Sequence, residues 1–142
     1  MNKKKEVKVK EAANKIGYGI SARMPLQFGL LTGKFTEDAK FSDDDHRKFR
    51  LTKDIISNTN KILEENVWEL CNKYNISKTA VALSFILSFD CVSTVIPGIR
   101  TAQHASDNTK NIIRLDKNDV KHLTGLYNSD WKAIVDMMEK QG

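Results

Sequence analysis

Glycine-rich loops are the parts of this chain whose residue types and spacing could handle a phosphate. Gly17-Tyr18-Gly19-Ile20-Ser21-Ala22 spells a G-x-G-x-x-A dinucleotide fingerprint. That fingerprint works only where it follows a strand and opens a helix, so that the helix N-terminus meets the pyrophosphate. Here it precedes and forms a strand, and the reading is rejected. Gly29-Leu30-Leu31-Thr32-Gly33-Lys34-Phe35 approaches a phosphate loop, but three residues separate its glycines where the motif needs four, and Phe35 stands in place of the magnesium-binding hydroxyl. His46, His104 and His122 lie far apart, without metal-ligand spacing. No nucleophile–base pair can be drawn from the sequence, so neither catalytic nor metal-binding residues are assigned.

The productive pattern is a pair of longer runs. Ala22-Arg23-Met24-Pro25-Leu26-Gln27-Phe28-Gly29-Leu30-Leu31-Thr32-Gly33-Lys34-Phe35 is followed, about seventy residues on, by Ser93-Thr94-Val95-Ile96-Pro97-Gly98-Ile99-Arg100-Thr101. Each run is a short β-prone stretch ending in a Pro/Gly loop that leads towards a helix. A strand–loop–helix unit used twice puts both loops on one face of a parallel sheet, and in barrels built this way the carboxyl ends of the strands carry the site.

The elements that must position these loops can be read in outline. Residues 1–15 form a basic, polar lead-in, with a short helix expected over Val9 to Lys15. Tyr18 to Arg23 reads as a strand, and residues 24 to 52 as a long loop whose exposed part is Ser42-Asp43-Asp44-Asp45-His46-Arg47. Ile56, Leu63, Val67, Leu70, Cys71 and Tyr74 make one apolar stripe over residues 53 to 74, the mark of a helix. Asn75 is expected to stop it and Ser77 to cap the next, Lys78 to Ser88, which is apolar nearly all round and hence buried. That helix lacks the exposed polar face a helix-turn-helix needs for bases. Val92 to Ile96 is the second strand. Thr101, Asp116 and Ser129 are expected to cap three further helices, the last with Trp131, Ile134, Val135 and Met138 inward.

The 142 residues suffice for one domain but not for a complete barrel, which needs on the order of 250. A hydrophobic fraction of 40% fits a globular core, and no apolar run approaches a membrane span. Cys71 and Cys91 sit among apolar neighbours and read as small buried hydrophobes in a reducing cytoplasm. Net charge is +5, and five of the first ten residues are lysine. No aromatic is interleaved there to stack a base, so the tail reads as a solvated terminus rather than a nucleic-acid arm.

The two runs resemble the end of an aldo-keto reductase, a family of nicotinamide-dependent carbonyl reductases on an eight-stranded β/α barrel. Ala22 to Phe35 is similar to the family's seventh strand and following loop. Val92 to Thr109 is similar to its eighth strand and cofactor-clamping loop. The similarity runs from about Ile16 to about Glu139. It implies an α/β fold: a C-terminal fragment of a (β/α)8 barrel, with two parallel strands and flanking helices over residues 16–142. It also implies NADP(H) as cofactor. Arg23 would present a planar face to the nicotinamide, and Met24, Pro25, Leu26 and Gly29 would pass their backbone close to the pyrophosphate. Gly98, Ile99 and Arg100 would hold the ribose 2′-phosphate, with the helix N-terminus converging on the same anion. His104, Asp107 and Asn108 would grip the adenine end, although the family often has Gln or Arg at the first position and Glu at the second. The family's catalytic Asp, Tyr, Lys and His have no match here. The resemblance thus implies the cofactor-binding portion of an NADP-dependent reductase, inactive alone. The alternative is a non-catalytic dinucleotide-binding or assembly module that pairs with a separate N-terminal half-barrel or with itself.

Overall fold

The computed structural model describes residues 11–13 and 15–139, so the lysine tail lies outside the described residues. Of the expected first helix, residues 11–13 and 15 are helical, and Ile16 continues it. The sheet has two parallel strands, β1 (Ile20–Arg23) and β2 (Val92–Ile96), in the expected places. Ile20 pairs with Val92, Ser21 with Thr94, Ala22 with Val95 and Arg23 with Ile96. The register slips by one at Ser93, where β2 carries an extra residue. Gly19 explains how the strands stay close at that bulge, since a Cβ there would sit 1.9 Å from Ser93 Oγ.

Between the strands run four helices: α1 (Arg47–Arg50), α2 (Lys53–Asn66), α3 (Glu69–Tyr74) and α4 (Lys78–Leu87). After β2 come α5 (Ala102–Thr109), α6 (Lys117–Leu126) and α7 (Asp130–Glu139). Residues 24 to 52 are not one irregular loop. They contain the 3-10 segment Gln27–Thr32 and the single turn α1. The helix expected over residues 53 to 74 is two. Val67 N–H and Trp68 N–H both donate to the Leu63 carbonyl at 2.9 Å, and this shared acceptor breaks the ladder so that Val67 and Trp68 are both buried.

Local chemistry sets most helix ends. Asn75 adopts a left-handed conformation (φ 53°, ψ 48°) and stops α3. Ser77 accepts Ala80 N–H at 3.1 Å and Thr101 accepts His104 N–H at 3.1 Å, as N-caps should. Two expected caps differ. Asp116 stands at the start of α6 but its carboxylate makes no cap bond and lies 3.7 Å from Lys73. The Ser129 hydroxyl donates to the neighbouring Asp130 carboxylate at 2.5 Å and lies 3.3 Å from the Leu126 carbonyl.

The core has two buried clusters. Leu63, Val67, Trp68, Leu70, Ile76, Ala80, Val81 and Leu126 form one; Leu30, Leu51, Ile55 and Ile56 form the other. α4 is central: it packs on the 3-10 segment, β2, α3 and α5. Ser84 within it and Ser88 at its C-terminal cap tie the chain beyond α5 to it. Ser84 Oγ accepts Ile113 N–H at 3.1 Å, and Ser88 Oγ accepts Leu115 N–H at 2.9 Å. Cys91 is buried and Cys71 half-buried, both as free thiols. Among the described residues no helix is long and apolar enough to cross a membrane.

Candidate functional site

Parallel pairing fixes where the two loops leave the sheet. Arg23 and Ile96 are partners at the last rung, so the loops beginning at Met24 and Pro97 leave the sheet at the same end. The first loop folds tightly on itself. Met24, Gln27 and Phe28 have φ of 54°, 45° and 59°, and Gly29 has φ 91°. Such angles are unfavourable for side-chain-bearing residues. They are held by Gln27 N–H on the Met24 carbonyl (3.0 Å) and Gly29 N–H on the Leu26 carbonyl (2.9 Å). Pro25 is buried beneath, Leu26 is half-buried, and Arg23 and Met24 are exposed. Arg23, Met24 and Pro25 also border an apolar cleft of about 260 Å³ with Trp68, Phe85 and Trp131.

One cation that the sequence reading did not single out belongs here. Lys34 lies across Gly29, where an added Cβ would meet its Nζ at 3.3 Å. It is brought there by Gly33, whose φ of 68° turns the chain back. Segment 35–50 folds over the loop from outside. The His46 ring meets Phe28 edge-on at 5.1 Å and the Arg50 guanidinium lies 5.5 Å from the same ring. Arg47 grips Asp45 through Nε at 2.9 Å to both oxygens, which holds that carboxyl well below the usual carboxylate range.

The second loop is open. Gly98, Ile99 and Arg100 are exposed, and among the described residues no heavy atom beyond its chain neighbours lies within 4 Å of where a Gly98 Cβ would be. Two side chains of α5 reach back to it. Asn108 Nδ2 donates to the Gly98 carbonyl at 3.3 Å, and His104 Nδ1 accepts Arg100 N–H at 3.4 Å. Asp107 instead accepts from Gln103 at 2.7 Å and borders a polar cleft of about 320 Å³ with Ser77, Thr79 and Lys110. The structure thus gathers Gly98, Arg100, His104 and Asn108, and sets Asp107 apart.

A tyrosine–lysine–aspartate group does occur, but elsewhere. Tyr74 donates to Asp119 and accepts Asp116 N–H at 3.0 Å, and Lys73 reaches Asp119 at 2.7 Å. Burial and the Asp119 bond push the Tyr74 hydroxyl up. With its hydroxyl used in both directions, this group staples α3 to α6. Among the described residues no three His, Cys, Asp or Glu side chains gather as a metal site.

The comparisons with known proteins agree with one another. The sequence model of the aldo/keto reductase family matches residues 1–128. Aldo-keto reductase str7 of Strobilurus tenacellus is 31% identical over 100 residues, which are 69% of this chain and 30% of that protein. Uncharacterized oxidoreductase YrpG of Bacillus subtilis (strain 168) is 28% identical over 123 residues, 86% of this chain and 36% of its own length. The chain spans about a third of the length of these curated relatives.

Proposed function

Since the chain belongs to the aldo/keto reductase family, whose fold is a (β/α)8 barrel, we propose that it carries the cofactor-clamping end of an NADP-dependent carbonyl reductase. The observation that carries this reading is the β1–β2 register, which brings two glycine loops to one end of the sheet, one with Arg23 and Lys34 and the other with Arg100. The residues fit the cofactor. Gly98 leaves its loop open to close approach, and Gly29 gives Lys34 room to lie across the first loop. NADPH, when bound, supplies a hydride to an aldehyde or ketone.

In this reading Arg23 lays its guanidinium plane against the nicotinamide. Met24, Pro25, Leu26 and Gly29 shape the loop along the pyrophosphate, and Lys34 adds a positive charge to it. Gly98, Ile99 and Arg100 receive the 2′-phosphate, the Arg100 fork donating to its oxygens. His104 and Asn108 hold that loop in shape beside the adenine end, and Asp107 flanks it. The proton donor comes from strands other than these two.

The test is calorimetric titration of the chain and of Arg100→Ala with NADPH and NADH. A charge-assisted bond of about 1.5–3 kcal/mol predicts an NADPH affinity at least about tenfold weaker in the variant, and NADH little changed. The same samples, given an aldehyde, are expected to bind NADPH without consuming it. Equal losses for both cofactors would refute the 2′-phosphate role. A second reading, an assembly module completed by another half-barrel or a second copy, is favoured by the exposed Met24, Ile96 and Ile99 around the sheet end.

A further inference from the structure

The asparagines of α2 do not all bond alike. Asn58 Nδ2 donates to the Asp54 carbonyl at 2.8 Å and Asn66 Nδ2 to the Ile62 carbonyl at 3.0 Å, each folding back on its own helix. Asn60 turns away. Its Nδ2 donates to the Phe35 carbonyl at 2.8 Å, 25 residues earlier in the chain. A carbonyl only accepts, so the amide nitrogen is the atom that faces it. Asparagine is a poor choice for a helix interior, and here, half-buried, it ties a loop to the helix. The helix is a firm post for that tie. Thr52 caps it by accepting Ile55 N–H at 3.4 Å, and Ile55, Ile56, Thr59 and Leu63 are buried along it.

What Asn60 holds is the stretch that carries Lys34. Among the described residues, the backbone bonds of the first loop end at Gly33 N–H, 3.5 Å from the Leu30 carbonyl. They resume at the Thr36 carbonyl, which accepts Ala39 N–H at 2.9 Å. Lys34 and Phe35 lie in the gap, and both side chains cross Gly29. A Cβ on Gly29 would meet Lys34 Cε at 3.1 Å, Lys34 Nζ at 3.3 Å and Phe35 Cε2 at 3.4 Å. A lysine stem is flexible, and ordering it costs rotamer entropy. Fixing the backbone on which it stands narrows where its ammonium can go. Gly33 sets one side of that backbone by its turn, and Asn60 sets the other.

We propose that Asn60 is a positioning residue for the cofactor's pyrophosphate: by fixing the Phe35 carbonyl it keeps the Lys34 ammonium across Gly29, on the loop that the anion follows. This rests on the cofactor reading above. Lys34 supplies the charge, and Asn60 supplies its place.

A double-mutant cycle tests this. NADPH, and adenosine 2′-phosphate as a ligand without a pyrophosphate, are titrated by calorimetry into the full chain, Asn60→Ala, Lys34→Ala and the double variant. Asn60→Ala removes the amide and suits a helix better. It is expected to weaken NADPH binding by about threefold to tenfold and adenosine 2′-phosphate by less than about twofold. Lys34→Ala is expected to weaken NADPH at least as much. In the Lys34→Ala background, adding Asn60→Ala is expected to change NADPH affinity by less than about twofold, because the asparagine acts through the lysine. If Asn60→Ala loses the circular dichroism of the wild type, Asn60→Leu takes its place in the cycle, removing the same donor while keeping the bulk.

Unchanged NADPH affinity in the Asn60 variant, equal losses for the two ligands, or a loss that persists in full without Lys34 would each overturn the proposal. With Arg100→Ala still weakening NADPH, the cofactor reading would stand. A wild-type chain that binds no NADPH would overturn both.

Discussion

Among the described glycines, Gly19 is the one where an added Cβ would make the closest contact. A methyl group there would lie 1.9 Å from Ser93 Oγ and 2.7 Å from Ser93 Cβ, distances at which one strand must move. Gly19→Ala is expected to destabilise the chain by about 1–3 kcal/mol, as overpacking does. Adding Ser93→Gly should recover most of that loss, read from urea midpoints of the three proteins. If the double variant is as weak as the single one, the clash is not the cause. Single residues also show what the sequence could reveal. Asn75, Ser77 and Thr101 were legible because each acts on its own neighbours. Arg23 and Arg100 were legible through the runs that carry them. Lys34 was missed because its closeness to Gly29 depends on the left-handed turns at Phe28, Gly29 and Gly33, which no spacing rule foretells.

At the scale of elements, the α3–α6 staple offers a pH test. Burial alone would raise Asp119, but the hydrogen bonds from Lys73 and Tyr74 outweigh it and hold the carboxyl below its ordinary value of 3.8. A carboxyl lowered in the folded state stabilises that state above the unfolded value, and the contribution fades as pH falls through the folded one. Asp119→Asn is therefore expected to be less stable than wild type above about pH 5, with the gap closing towards about pH 3. Thermal melts across that range check it, and a gap that stays constant would mean that the ionised carboxylate is not what holds the staple. Ser84 in α4 and Ser88 at its end teach a related lesson. In the sequence Ser84 and Ser88 only interrupt an apolar helix. In the fold they accept Ile113 and Leu115 N–H from a segment 29 and 27 residues further on, a link visible only once the chain is folded. The break at Val67 and Trp68 was hidden for a similar reason, because the apolar stripe runs on through it.

For the whole molecule, the order of elements and the parallel sheet were legible, since apolar period and turn residues repeat along the chain. Which faces remain uncovered was a matter of packing. Ile96 is 57% and Ile99 61% exposed beside a sheet that has two strands among the described residues, and the edges of so small a sheet are where a further strand can pair. The purified chain is expected to form dimers or larger species and to bind a hydrophobic dye. Light scattering with dye fluorescence decides this, and a dye-silent monomer with one sharp melting transition would show that the helices close the core unaided. The same sheet also sets an order in time. Its rungs join residues as far apart as Ile20 and Val92, with α1 to α4 between them. Bringing such distant segments together loses chain entropy before any inter-strand bond returns it, whereas helical turns form from neighbours. The end of the sheet from which the Met24 and Pro97 loops leave is therefore expected to form late in folding, after the helices between the strands.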